Sequence, residues 1–368
     1  MRHNIISSIE ELDSLQGSFD SLSANSIEQN INYEITALKS LLTNFEYVNW
    51  FVFCIWRDEL LVGVFPMQRV KRIPIPVFQC TLLFENHLMS CIPLLHKNYY
   101  EDVINEFWRW FNHGNRPKLL HIPEVLSSSE LGRLWLERGK CSGSKVELSV
   151  RHCRAVANIK SIDFDTYCSR HLSARLKRVN RQNIKKLMDM GGYSSETISV
   201  DSGDLMAGLD LLKFVEGSGW KRDNGSAIAV NPNLEMYIRE IALYAAKNQR
   251  VILTTSKIGE IPAGAFFGLI NDNKLFIYKI GYNQVFSKYS IGILTLISLI
   301  EHMINDGTVE VIDSCAANDI EIYNRCFPLR EEWCQYHIAS SHWISKLILW
   351  AVFKSRKMRV LIKQKIKS

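Results

Sequence analysis

The sequence predicts a mixed α/β protein built as two successive halves. Three observations predict it. The chain has 368 residues, against about 150 for a typical domain. An alternation of β-type and helical segments runs to about residue 155 and then restarts. The composition, 47% hydrophobic and 22% charged, gives each half enough apolar side chains for its own core, without disulfides or a structural metal. The expected divisions are 1–155, 156–340 and a basic tail at 341–368.

Residues 1–45 read as polar, helical in patches, with Ser-rich loops around Ser18–Ser26. Period-2 patterning then predicts strands over Val48–Trp56, Leu60–Val70 and Val77–Phe84, the first two joined by the turn Arg57-Asp58-Glu59. Val103, Ile104, Phe107, Trp108 and Phe111 recur at helical spacing and predict a helix over Tyr99–Asn112. A strand at Leu119–Ile122, a helix near Ser129–Arg138 and a strand near Val146–Arg151 complete the first half.

The second half opens with a helix over Phe164–Met190, closed by the C-cap signal Gly191-Gly192. Helices over Leu205–Gly217 and Leu234–Asn248 follow. Strands at Arg250–Ser256, Ile261–Leu269 and Lys274–Tyr282 are punctuated by Lys257–Glu260 and by Asn271-Asp272-Asn273. A helix over Tyr289–Asn305 leads to a strand at Val309–Asp313, a short helix at Ile320–Cys326 and a strand at Trp333–Ile338. Each half is thus expected to hold a mostly antiparallel, twisted sheet flanked by helices.

The net charge of +6 is too mild to call for nucleic acid, for which a concentrated basic face is expected. Its distribution is uneven. No acidic residue follows Glu332, whereas Lys346, Lys354, Arg356, Lys357, Arg359, Lys363, Lys365 and Lys367 do. A second block comprises Arg170, Arg175, Lys177, Arg178, Arg181, Lys185 and Lys186. Nine cysteines stand singly without a C-x-x-C pair, as reduced thiols used as small apolar residues would, and no His/Cys cluster has zinc-ligand spacing. The N-terminus lacks a signal-peptide pattern. The longest apolar stretches, Ile291–Ile300 and Leu347–Phe353, fall short of the ~20 residues that span a bilayer. The expected location is cytoplasmic, with peripheral contact at the inner membrane face through 343–368, where apolar and basic residues mix as in an interfacial helix. A helix docked on the protein with a loose basic end is the plainer reading of that tail.

Five stretches in order carry a family resemblance. They are Ser173–Arg181, Glu216-Gly217-Ser218-Gly219-Trp220-Lys221, Tyr278–Asn283, Tyr289-Ser290-Ile291-Gly292-Ile293-Leu294, and Val311-Ile312-Asp313-Ser314. Together they resemble the GNAT acyltransferase superfamily, and within it the cellulose-biosynthesis acetyltransferase (CelD/BcsL-like) branch, which pairs two GNAT-like halves. Departures accompany the match. The usual pyrophosphate loop, Gln/Arg-x-x-Gly-x-Gly/Ala, keeps Gly292 but has Tyr289 first and Leu294 last. A Gly-rich turn and Tyr-Lys pair are replaced by Ser314–Asp319 and Tyr323-Asn324. The resemblance implies acetyl-CoA or another acyl-CoA as co-substrate, an amine acceptor such as an amino sugar of a surface polysaccharide, and no metal. A Fem-type aminoacyl transferase using aminoacyl-tRNA, and a non-catalytic scaffold at the membrane, stand as alternatives.

Transfer of an acyl group from a thioester to an amine requires a neutral, close, aligned amine and stabilisation of the oxyanion. A loop entering a helix offers unpaired N–H groups and a positive dipole end for pyrophosphate. Tyr289, Ser290, Ile291, Gly292 and Ile293 are the candidates, the ordinary alternative being a plain strand-to-helix loop. Lys279 is a candidate for phosphate or a substrate carboxylate, or a solvated strand lysine. Tyr282 is a candidate proton donor to the departing thiolate, or a packed ring. Three apart, these two point to opposite faces of a regular strand, unless a bulge intervenes. Asp313, ending a strand, is placed to orient or deprotonate an amine, or to cap a turn. Glu216 and Trp220, one helical turn apart, suit a sugar or amine together with Lys221, or are a solvated charge and a core anchor. The basic helix is a site for a phosphorylated substrate or an ordinary solvated face.

Overall fold

The computed structural model describes residues 1–71, 77–83, 88–198, 202–218, 225, 227–316 and 320–367, with backbone alone for 202–203 and 356–367. The chain divides into two compact units: Met1–Ile35 with Tyr47–His152 and Glu332–Ser368, and Thr36–Glu46 with Cys153–Glu331.

The first unit contains strands β1 (Arg2–Ile6), β2 (Trp50–Arg57), β3 (Leu60–Arg69), β4 (Phe78–Leu82), the two-residue β5 (Leu94–Leu95), β6 (Lys118–Leu126) and most of β13 (Leu329–Ala339). Their order is β1-β2-β3-β4-β6-β13, with β5 beside β3. All pairings are antiparallel except β4 with β6. Helices α1 (Ile9–Asp13), α2 (Gln16–Ala24), α4 (Tyr100–Asn112), α5 (Glu130–Cys141) and α12 (Trp343–Lys367) belong to this unit. The spacing that predicts α4 also sets its buried face: Val103, Ile104, Phe107, Trp108 and Phe111 are all inside. There Phe107 stacks on Phe65 at 4.5 Å, and Trp108 donates its indole N–H to the carbonyl of Trp135 at 2.8 Å. That bond removes the cost of burying the indole nitrogen.

The second unit contains α3 (Ile35–Asn44), residues 153–158 of β7 (Lys145–Asn158), α6 (Phe164–His171), α7 (Ala174–Met188), β8 (Tyr193–Ile198), α8 (Ser202–Glu216) and α9 (Pro232–Ala246). After these come β9 (Val251–Ile258), β10 (Ile261–Asn271), β11 (Lys274–Tyr282), α10 (Ile291–Asp306), β12 (Val311–Asp313) and α11 (Glu321–Cys326). The strand order is β7-β12-β11-β10-β9-β8. Among the described residues only β11 and β12 run parallel; the other pairings are antiparallel. The apolar stripe of α10 (Ile293, Leu296, Leu299, Ile300, Met303) packs with Leu275, Ile277 and Ile312 of the sheet and with Tyr167 of α6.

Four features differ from expectation. The helix predicted over Phe164–Met190 is two helices, because Ser173 takes extended backbone (ψ 148°) and its hydroxyl accepts the Leu176 amide, an N-cap that starts α7 afresh. Strands β1 and β8 were not expected: both are edge strands, RHNII and YSSETI, with largely exposed residues and little apolar alternation to announce them. β7 extends to Asn158, beyond the predicted Arg151. The helix predicted from Tyr289 starts at Ile291, and a 3-10 turn, Gln284–Tyr289, precedes it.

Candidate active site

The second unit's sheet splits at one place. Lys274, Leu275 and Phe276 of β11 pair with Val311, Ile312 and Asp313 of β12, and β12 ends there. β11 continues to Tyr282, paired with β10. A cavity of about 600 Å³ opens along that segment. It is bordered by Ile277–Tyr282, by Val215 and Glu216 at the end of α8, by Ser290–Ile293 at the start of α10, by Ser314–Ala316 after β12, and by residues 320–323 and Arg325. Such a crevice beyond a split in strand order is where open α/β sheets place ligands.

The sequence builds each wall for a physical reason. On β11, Phe267 pairs with Lys279 and Gly268 with Ile277, so Tyr278 is an extra residue in a bulge. The bulge precedes Lys279; from Lys279 to Tyr282 the register is regular, and the expected opposition of these two residues stands. The Tyr278 ring lies edge-on to Phe267 at 5.9 Å and near Tyr237 at 6.5 Å. Burial holds its hydroxyl well above the usual tyrosine range. At Gly281 a Cβ would fall 2.6 Å from the Glu216 amide nitrogen; only a glycine lets the end of α8 approach β11 this closely. Glu216 is the last residue of α8. The Glu216 side chain is buried and accepts the Ile228 amide at 2.9 Å, which fixes the chain after the α8 loop. Trp220 and Lys221, and residues 317–319 of the turn after β12, lie outside the described residues.

The loop into α10 is tightly fastened. Asn283 accepts the Val285 amide at 3.1 Å and donates to the Pro262 carbonyl at 3.1 Å. From α7, the buried Asn183 donates to the Tyr289 carbonyl at 3.0 Å. Ser290 adopts a left-handed conformation (φ 56°, ψ 38°) and its carbonyl accepts the amides of Ile293 and Leu294. The amides of Ile291 and Gly292, in the first turn of a helix, have no carbonyl above them. They stand at the positive dipole end and border the cavity. A Cβ on Gly292 would lie 3.0 Å from Ile322 Cδ1 and 3.7 Å from Tyr282 Cδ1. Gly292 therefore keeps open the space between α10, Tyr282 and α11.

Seven of the residues expected in the site do border the cavity: Glu216, Lys279, Tyr282, Ser290, Ile291, Gly292 and Ile293. Tyr289 and Asp313 do not line it. Asp313 is fully buried; its Oδ1 accepts the Cys315 amide at 2.7 Å, and its Oδ2 lies 3.9 Å from Arg154 Nη1 and 3.8 Å from Lys274 Nζ. The side chain thus closes a turn that holds Cys315 at φ 49°. Tyr323 of α11 was missed as a site residue. It borders the cavity and is 3% exposed, and burial, with Cys315 and Asp313 nearby, holds its hydroxyl well above the usual range. Its signal was the Tyr323-Asn324 pair after the turn.

Residues 174–323 match the family model described as an acetyltransferase (GNAT) domain. No curated protein matches the chain significantly. Among solved structures, it is similar to the C-terminal domain of a putative lysylphosphatidylglycerol synthetase from Agrobacterium fabrum, with TM-score 0.53, 9% identity, 93% of this chain and 96% of that one. It is similar to FemX, with TM-score 0.51, 9% identity, 91% and 97%. L-PGS from Bacillus licheniformis gives TM-score 0.50, 10% identity, 93% and 96%. At such identities the likeness is one of fold. The match over 174–323 coincides with the split sheet and the fastened loop, so that this stretch of the chain is similar to a GNAT acetyltransferase domain.

Proposed function

We propose that this protein transfers an acyl group, acetyl in the simplest case, from an acyl-CoA thioester to the neutral amine of an acceptor such as an amino sugar of envelope or polysaccharide synthesis. One observation carries the proposal: the cavity along β11, beyond its pairing with β12, is bordered by Ile291 and Gly292 in the first turn of α10. The amides and dipole at that helix start offer a seat for pyrophosphate. The acceptor class and the cellulose-biosynthesis branch rest on the order of the five stretches between Ser173 and Ser314.

This arrangement divides the work between the two tyrosines. Tyr282 touches the space beside Gly292 and belongs to the phosphate end. Tyr323 and Tyr278 stand near Cys315, in the turn that follows β12, and both border the cavity. There the amine nitrogen bonds to the acyl carbon, the carbon–sulfur bond breaks, and the sulfur leaves with a proton. Tyr323, kept protonated by burial, donates that proton; the amine gives up its own proton to solvent, and solvent returns one to Tyr323. Lys279 borders the same segment and offsets negative charge.

A second donor is favoured by one observation. On α7, Arg175, Arg178, Arg181, Lys185 and Lys186 are exposed with no acidic residue among them, and Asn183 ties this helix to the Tyr289 carbonyl. A basic face beside the donor loop suits the polyanion of an aminoacyl-tRNA. The test is chromatographic. The protein is incubated with acetyl-CoA or longer acyl-CoAs and amino-sugar acceptors, and free CoA and acylated product are quantified. Saturable binding and matched release support the first reading. No binding of any acyl-CoA by folded protein, with transfer from aminoacyl-tRNA, replaces it with the second.

A further inference from the structure

Helix α12 has two unlike faces. On one, Ser345, Ile348 and Leu349 are buried, packed with Leu119 and Ala339 and flanked by Ile344, Val352 and Phe353. The Ser345 hydroxyl accepts the Lys118 amide at 2.9 Å. On the other, Trp343, Leu347 and Trp350 are 68%, 52% and 58% exposed. Their spacing of four and three residues sets them in one stripe. Lys354 extends the stripe, its ammonium 4.6 Å from the centre of the Trp350 ring. Because the buried face fixes the helix, the stripe is a defined surface. Two tryptophans and a leucine in line on such a surface mark an interaction site.

The surrounding charge identifies the occupant. No Asp or Glu follows Glu332, and Lys346, Lys354 and the six Lys and Arg residues of 356–367 make this end of the chain uniformly cationic. A second copy packed face to face would bring these cations together, which a twofold interface does not tolerate. An anionic lipid surface accepts both components: indole rings and leucine enter the headgroup boundary, and lysines meet lipid phosphates. Among the described residues no helix is long and apolar enough to cross a membrane. We infer that α12 is an interfacial anchor that lies on an anionic bilayer through Trp343, Leu347 and Trp350.

Co-sedimentation of the full chain with phosphatidylcholine vesicles, with and without phosphatidylglycerol, tests this. The protein should pellet with anionic vesicles and largely stay in solution with neutral ones. Trp343→Ser with Trp350→Ser should weaken partitioning at least about tenfold, because partial burial of two large rings is lost. Lys346→Gln and Lys354→Gln should each weaken it about fivefold. Thermal unfolding checks that the variants fold; if the double substitution lowers the melting temperature, Leu347→Ser at the exposed middle of the stripe gives the same reading. Absence of binding to anionic vesicles would overturn the inference. So would unchanged partitioning of the folded variants, or a dimer in gel filtration that the tryptophan substitutions dissolve.

Discussion

Gly292 is the position where the proposed donor site is most exposed to refutation. A Cβ there would lie 3.0 Å from Ile322 Cδ1, the far end of a flexible side chain, and 3.7 Å from Tyr282. Alanine therefore needs Ile322 to give by a few tenths of an ångström. Its better helix propensity, worth about 1 kcal/mol over glycine, offsets that strain, so Gly292→Ala should fold and bind nearly as the native chain does. Gly292→Trp is different: its ring would fill the space in front of the Ile291 and Gly292 amides. The pyrophosphate would forfeit the dipole end, worth about 0.3–1 kcal/mol, and at least one charge-assisted hydrogen bond, worth about 1.5–3 kcal/mol. The sum is about 3 kcal/mol, roughly a hundredfold in Kd. Calorimetric titration with acetyl-CoA measures this, and thermal unfolding of each variant confirms its fold. If folded Gly292→Trp binds acetyl-CoA within about threefold of the native chain, the phosphates do not sit at the start of α10.

Four further outcomes follow from the same geometry. Gly281→Ala sets its methyl against the Glu216 backbone, 2.6 Å from the nitrogen; stability should fall by at least about 1–3 kcal/mol, read as a lower urea midpoint with unchanged slope. Tyr323→Phe should lower kcat about a hundredfold or more with donor Kd unchanged, whereas Tyr282→Phe should shift donor Kd more than kcat; the reverse pattern would exchange the two roles. Asp313→Ala should destabilise by about 1–3 kcal/mol, since it removes the carboxylate beside the buried Arg154 and the acceptor that closes the Cys315 turn; lost activity at native stability would instead make Asp313 a catalytic base. Finally, burial raises the hydroxyls of Tyr33, Tyr278 and Tyr323 well above the usual range. Above about pH 10 the folded state therefore holds more protons than the unfolded one, and stability present below that pH is lost as pH rises. Ultraviolet titration should show these tyrosines ionising only as circular dichroism reports unfolding. Ionisation near pH 10 in the folded protein would contradict their burial.

What the chain discloses locally and what it does not differ for a physical reason. β11 is legible residue by residue: Asn271-Asp272-Asn273 makes a turn, with Asp272 at φ 50°, and the strand runs from Lys274 to Tyr282 as the pattern indicates. Gly292 in the first turn of an apolar helix is legible too, because a helix entry and its glycine are consecutive in sequence. Asp313 is not. At a strand end it has the local signature of a base, yet Arg154 on β7 and Lys274 on β11 are brought to it only by strand pairing. The same pairing distinguishes Tyr282 from Tyr323. Tyr282 lies in one of the stretches that resemble the family and Tyr323 follows another, and both are tyrosines near a turn. The pattern indicates a strand ending at Asp313 and a helix at 320–326, but not that β12 pairs with Lys274–Phe276 of β11 or that Tyr323 borders the same cavity as Tyr282. β1 and β8 were missed for the complementary reason: an edge strand with most of its residues exposed needs no apolar alternation. The proposed donor loop is therefore readable because it is consecutive backbone. The surroundings of Asp313 and Tyr323, assembled from β7, β11, β12 and α11, become identifiable only once the sheet is paired.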